Sequence, residues 1–285
     1  MTLSKRKISN IFIYFLLVLM TVIILFPVLF IVASSFMRET EIMKNYGGLL
    51  SGGSTKVSIN LIPERVTLQN YFNVFLLTPA YLMKFWISLF MTSIIAVGQV
   101  IISCLGGYGF AKFKFPFKNA VFYLLVILMM MPYQVSLVPN YIILNKMGLI
   151  GSYASVIIPG IFAPFGIFLL KQVFSSIPDN IIEAAKIDGA NQFQILTKII
   201  IPHAKTGIAA LFILCFIDNW NMVEQPLIFL KDSLKYPLSI FLSTINNSRL
   251  DIAFVCSILA IIPVFILFLY LKESLIYGIE NTNLK

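Results

Sequence analysis

Apolar residues run along the chain in five stretches without charge, 8–37, 85–111, 119–145, 147–170 and 252–271. Each reaches the roughly 20 residues that a helix rising about 1.5 Å per residue needs to cross a hydrocarbon core of about 30 Å. A sixth stretch, 204–224, is interrupted by Asp218. On an insertion scale its apolar residues gain about 3 kcal/mol, which cancels the roughly 3 kcal/mol that a central carboxylate costs. That segment is therefore a helix held by its neighbours, with Asp218 turned away from lipid. The pattern predicts an all-α integral membrane protein with six transmembrane helices, at about 9–36, 85–111, 119–140, 150–171, 204–224 and 252–272. They form a single transmembrane domain over residues 1–285, with Pro132, Pro139 and Pro159 kinking spans.

Composition agrees. Hydrophobic residues make up 59% of the chain and charged residues only 12%, about half of what a soluble domain carries. The net charge of +9 does not point to nucleic acid, because the basic residues fall between apolar runs rather than clustering on a polar face. Cys104, Cys215 and Cys256 lie inside apolar stretches with no metal or disulfide spacing, and His203 is the single histidine, so no His-based metal cluster forms.

Lys5, Arg6 and Lys7 precede the first apolar run, which lacks a convincing cleavage site and reads as a retained span with its N-terminus inside. Six spans then place the C-terminus inside as well. The inside segments carry twelve of the 21 Lys and Arg residues, most sharply as Lys112, Lys114 and Lys118 in one short loop. Residues 38–84 form a long outside connection whose Gly47, Gly48, Gly52 and Gly53 read as a flexible turn region.

The long inside loop, 176–203, reads SIPDNIIEAAKIDGANQFQILTKIIIPH. Pro178 suits a first helical position, Asp179 the positive helix start, and Gly189 the left-handed residue that ends a helix. A second short helix runs from about 191 to 200, with Phe193, Leu196 and Ile200 on one face, and Pro202 separates it from the next span. An amphipathic linker on lipid headgroups is the plainer reading of such a segment.

Glu183, Ala184, Ala185, Gly189, Ile199, Ile201 and Pro202, at this spacing, resemble the EAA loop of binding-protein-dependent ABC importer permeases. The usual leucine before the proline is Ile201. The resemblance spans nearly the whole chain and is similar to the second permease of maltose-type carbohydrate systems. It includes YGFAKFKFP at 108–116, MPYQVSLVPNY at 131–141, FGIFLLKQ at 165–172, DGANQFQ at 188–194 and NWN at 219–221. Departures are Ile87, Met222 and the tail around Gly278.

This resemblance implies a type I importer permease fold in a bacterial cell membrane, with cytoplasmic EAA coupling helices. Glu183, Ala184, Ala185, Asp188, Gly189, Ile199 and Pro202 would couple to an ABC ATPase dimer. ATP and its magnesium would sit on that partner, since the chain has no P-loop and no cofactor or enzymatic activity of its own. A second homologous permease and an extracytoplasmic solute-binding protein would complete the system.

Sugar hydroxyls are held by neutral donors and acceptors beside aromatic faces. Gln134, Asn219, Trp220, Asn221 and Glu224 are the candidates for such a pathway, with Gln99 behind them; interhelical hydrogen bonds and interfacial anchoring suit the same residues. The rival function is an ion-gradient-driven carrier in which Asp218 or Glu224 moves a proton.

Overall fold

The computed structural model describes residues 2–50, 60–245 and 249–282; Gly52 and Gly53 lie outside this range, as do the side chains before Phe12 and beyond Lys272. The described residues form helices and turns, with no strand. In chain order the helices are α1 (Thr2–Ser35), α2 (Glu39–Leu50), α3 (Pro79–Lys112), α4 (Lys118–Met130), α5 (Tyr133–Lys146), α6 (Ala154–Ile161) and α7 (Pro164–Ser175). They continue with α8 (Asp179–Ile187), α9 (Gln192–His203), α10 (Lys205–Trp220), α11 (Glu224–Phe229), α12 (Leu238–Ile245) and α13 (Leu250–Thr282).

Four segments are each long and apolar enough to cross a membrane: Phe12–Ser35, Ala80–Lys112, Ala154–Ser175 and Leu250–Lys272. Two bent pairs, α4 with α5 at 101° and α9 with α10 at 81°, raise the number to six if each pair counts as one span. The first bend falls at Pro132, where a kink is predicted, and at 101° it divides the helix predicted at 119–140 into two. Pro132 has no N–H for the Leu128 carbonyl and forces Met131 into an extended conformation (φ −71°, ψ 130°). Around the second bend, α9 runs on through Pro202 as far as His203, its backbone widened into a π turn at Leu196–Ile200, and the direction changes only at Ala204. The helix predicted to reach 224 stops at Trp220, and α11 starts afresh at Glu224.

The chain divides into two compact units. One comprises Met1–Met83 and Phe241–Ile262. Its core sets Met37, Ile42 and Tyr46 against Phe30, Leu250 and Phe254. The rings of Phe30, Tyr46 and Phe254 meet edge to face, with centroids 5.5 to 6.2 Å apart. Burial of Ile42 and Tyr46, one turn apart, keeps α2 helical through Gly47 and Gly48, where composition had predicted a flexible turn. The connection beyond is tied down by polar contacts: the Glu64 amide donates to Glu41 Oε1 (2.9 Å), and Asn70 Nδ2 donates to the Met37 carbonyl (2.8 Å).

The other unit, Lys84–Ile240 with Pro263–Lys285, is built on close contact between α3 and the α6–α7 pair. Lipid supplies no hydrophobic force between helices, so membrane packing relies on small residues that let backbones approach and on internal hydrogen bonds. A methyl group on Gly107 would lie 3.1 Å from the backbone of Leu170 and Lys171. One on Gly166 would lie 2.0 Å from Ser103 Oγ, which is buried and has no hydrogen-bond partner among the described residues. One turn before Ser103 on α3, Gln99 Nε2 donates to the Gly160 carbonyl (2.6 Å). That carbonyl would ordinarily bond the amide four residues on, but position 164 is proline.

At the opposite end of α3, Met91 and Ile95 join Leu137, Leu144, Val156, Met222, Phe229 and Leu230 in one apolar core. The segment after α11 is stitched over it. Buried Lys84 donates to the carbonyls of Ser233 and Leu234, Lys235 Nζ donates to the Gly151 carbonyl (2.7 Å), and the Leu238 amide donates to Ser88 Oγ (2.6 Å).

Gly107→Ala should lower the melting temperature of the purified protein, because overpacking against backbone costs about 1–3 kcal/mol. Gly109→Ala, two residues on with nothing within 4 Å of an added methyl, should be neutral or stabilising by up to about 1 kcal/mol. Thermal unfolding of both variants in detergent checks the contrast.

Candidate functional site

Helices α8 and α9 form a short hairpin. Pro178 occupies the N-cap position rather than the first helical one, which passes to Asp179. The helix ends as the sequence predicts: Gly189 has φ +81°, its amide bonds the Lys186 carbonyl (3.1 Å), and the Ala190 amide bonds the Ala185 carbonyl (3.0 Å). These two bonds form a Schellman motif, which turns the chain at once. Asn191 opens α9 with a reciprocal capping box: its side chain accepts from the Gln194 amide, and the Gln194 side chain accepts from the Asn191 amide, both at 2.9 Å.

The hairpin is fastened to the end of α3. Lys112 Nζ donates to Asp179 Oδ1 and to the Ile177 carbonyl, both at 2.6 Å, and Tyr108 Oη donates to Gln192 Oε1 (2.8 Å). One helix end thus grips both arms. The Lys112 hydrogen bond, and then its charge, hold the Asp179 carboxyl below the usual carboxylate range, with Lys114 and Lys186 adding to the effect. These contacts bound a cleft of about 410 Å³ lined by Tyr108, Lys112, Lys114, Asp179, Glu183 and Gln192.

Of the residues predicted to couple, Glu183, Ala184, Asp188, Gly189 and Pro202 are exposed, Ile199 is half-buried and Ala185 is buried with Ile182 against the rest of the unit. Phe193 does not share a face with buried Leu196 and Ile200; it is 70% exposed, and Ile187 is 86% exposed. The two flank the hairpin's turn, at the end of α8 and the start of α9, and make an exposed apolar tip near Asp188 in the chain. Sequence reasoning missed this tip, along with the Lys112 and Tyr108 clamp. Its signal is legible afterwards, since each is a large apolar residue next to a helix end in an otherwise polar loop.

The predicted pathway residues separate into two groups. Gln134 Nε2, at the start of α5, donates to both carboxylate oxygens of Glu224 at 2.9 and 3.1 Å, and both residues are exposed. Asn221 is exposed too, with Nδ2 turned back to the Ile217 carbonyl (2.9 Å). Asn219 and Trp220 face inward. Asn219 Nδ2 bonds the Cys215 carbonyl (2.7 Å) and Gln99 Oε1 (3.4 Å). Trp220 stacks on Phe216 at 5.7 Å and meets the edge of Phe85 at 5.8 Å. Leu214 and Asp218 on α10 and its C-cap Asn221, spaced four and then three residues apart, form an exposed stripe.

Known proteins share this architecture. The chain is 30% identical to the sn-glycerol-3-phosphate transport system permease protein UgpE of Rhizobium meliloti, over 99% of each chain. It is 29% identical to the arabinooligosaccharides transport system permease protein AraQ of Halalkalibacterium halodurans, again over 99% of each. Among solved structures, a chain of a bacterial ABC transporter that imports the acidic polysaccharide alginate matches with a TM-score of 0.77 at 23% identity, over 94% of this chain and 96% of that one. A chain of the MetNI methionine ABC transporter, in an inward-facing conformation, matches with a TM-score of 0.55 at 17% identity, over 70% of this chain and 96% of that one. Residues 99–276, which carry the α3 seam, the hairpin and the α10 stripe, match the family of binding-protein-dependent transport system inner membrane components, and the chain belongs to that family.

Proposed function

We propose that this chain is one of two permease subunits in an ATP-driven importer for carbohydrates or related polyols, with six spans and both termini in the cytoplasm. The observation that carries the reading is the α8–α9 hairpin, whose exposed apolar tip stands on a base fixed to α3. An exposed apolar knob on a polar surface suits protein contact. On this reading Glu183, Ala184, Asp188 and Gly189, with Ile187 and Phe193, enter a groove on one subunit of the ATPase dimer. Closure of the ATPase dimer around ATP and magnesium then pulls the hairpin.

Movement leaves the hairpin by two routes. Lys112 and Tyr108 transmit it to α3, and the bend at Ala204 transmits it to α10. A carboxylate facing lipid near a span centre costs about 2.5–3.5 kcal/mol, so the Asp218 and Asn221 stripe borders water or the second permease. Gln134, Asn221 and Glu224 offer hydroxyl-binding groups there, and a solute-binding protein delivers substrate from outside. Names of relatives that transport arabinooligosaccharides and sn-glycerol-3-phosphate support the substrate class.

Ile187→Asp should leave the unfolding free energy within about 0.5 kcal/mol of the parent, since the side chain is exposed. It should nevertheless reduce substrate-stimulated ATP hydrolysis of the reconstituted complex by about tenfold or more. Undiminished hydrolysis would refute the coupling role, and uptake that survives ATP depletion but collapses with the proton gradient would favour an ion-driven carrier.

Because its carboxyl is held low, Asp179 contributes hairpin stability above the ordinary aspartate value and loses it as pH falls through the lowered one. The protection of amides in residues 176–191, measured by hydrogen exchange relative to the intrinsic rate at each pH, should therefore fall on acidification from about pH 6 to about pH 3. In Asp179→Asn the clamp's share of that pH dependence should be absent.

Trp220→Ala should destabilise the protein by about 3–5 kcal/mol, as expected for a buried aromatic. Glu224→Gln should leave melting unchanged and alter the apparent affinity for solute in uptake assays.

A further inference from the structure

A second cluster of chemistry lies beside the hairpin and shares Lys114 and Lys118 with its cleft. Residues 113–117 join α3 to α4, two apolar helices, by only five residues, so in a membrane this connection sits at the bilayer surface. It runs between Lys112 and Lys118 as FKFPF, with Phe117 81% exposed. Beside it is a cleft of about 250 Å³, lined among others by Phe110, Lys118, Asn119, Phe122, Lys171 and Ser175. An adjoining cleft of about 350 Å³ shares Lys118 and Asn119 and adds Lys114.

The electrostatics of the first cleft are one-sided. Lys118 comes from α4, where its Nζ donates to the Phe113 carbonyl (2.9 Å), and Lys171 from α7; among the described residues neither forms an ion pair, although Lys118 also lines the hairpin cleft that holds Asp179 and Glu183. No carboxylate lines either cleft. Helix α4 starts with no side-chain cap and no acid in its first turn, and the amides of Asn119 and Ala120 meet no acceptor among the described residues. Two ammonium groups from separate helices, backbone amides at a positive helix end, and the Asn119 and Ser175 side chains together suit a phosphate.

The surroundings suit a ligand with an apolar tail. Lys171 Nζ lies 4.8 Å from the Phe122 ring centroid, and Phe122 packs against Phe110 and Phe168 at 5.5 and 6.0 Å, which gives the cleft an aromatic wall. Val121 and Leu128, seven residues apart on the flank of α4 beside Lys118, are 45% and 50% exposed and lead from the cleft along the helix. From this combination we infer that the cleft between α3, α4 and α7 binds the phosphate of an anionic phospholipid, with Lys118 and Lys171 as its two cationic contacts and an acyl chain along α4. Basic pockets at the ends of membrane helices hold anionic headgroups by this balance of charge and apolar contact.

The intact transporter, purified with its partner subunits, is mixed in micelles with phosphatidylglycerol or phosphatidylcholine, and retained lipid is measured by mass spectrometry alongside melting temperature. Phosphatidylglycerol should be retained in preference and should raise the melting temperature. The Lys118→Gln, Lys171→Gln double variant should weaken that retention by about tenfold or more, each single variant by a few-fold, and the double arginine variant should restore it. The single variants keep the test in force if the double one fails to assemble. Equal retention of the two lipids, or unchanged phosphatidylglycerol retention in the glutamine variants, would overturn the site. Inorganic phosphate that stabilises the complex in lipid-free micelles as well as phosphatidylglycerol does would show a free-anion site and overturn the lipid assignment.

Discussion

The closeness with which α3 meets the α6–α7 pair is the constraint on which the larger unit depends. Bulk and its absence alternate across this contact: Ile161, Ile167 and Leu170 fill the spaces at Gly98, Gly106 and Gly107, while Ile95 and Ser103 fill those at Gly160 and Gly166. Dispersion contacts of this kind fade within a fraction of an ångström, so the seam holds only while the backbones stay close. Gln99 sits within it and bonds in two directions, donating to Gly160 and accepting from Asn219. The position of α10 is therefore tied to the seam through Asn219.

The same contact sets the geometry at the far end of α3. Lys112 and Tyr108 are on its last turns, and a shift of α3 against α7 would carry both arms of the hairpin with it. Lys112 illustrates why the clamp is firm. Its side chain is only 7% exposed, so its ammonium group lies largely out of water and depends on Asp179 and the Ile177 carbonyl for its charge to be satisfied. Asp179 is 75% exposed, and its charge remains hydrated if the bond opens, so the cost of opening falls on Lys112.

Polar residues in the apolar segments thus divide by partner. Gln99, Lys84 and Asn219 are buried and bonded to carbonyls or to each other, and they fix helices in place. Gln134, Asp218, Asn221 and Glu224 are exposed on the isolated chain, where a hydrocarbon environment would penalise them. Their exposure makes physical sense in an assembly with water or another subunit on that face.

Much of this protein is legible from its sequence alone. Charge-free length located four helices long and apolar enough to cross a membrane, because hydrocarbon tolerates no unpaired backbone and little charge. Gly189 and Asp179 marked the ends of α8, because a left-handed turn and a helix dipole act locally and need no distant partner. Tertiary structure alone decided which polar residues are internal. Asn219, Trp220 and Asn221 are adjacent in sequence, yet helical rotation and the neighbours Gln99 and Phe85 bury the first two and leave the third exposed. It also decided that Gly47 and Gly48 are helical, through the burial of Ile42 and Tyr46, and that Lys112 grips a loop whose anchor is 67 residues away. Local signals report what the backbone prefers; which face is buried and which cation meets which carboxylate depend on contacts between segments far apart in the chain.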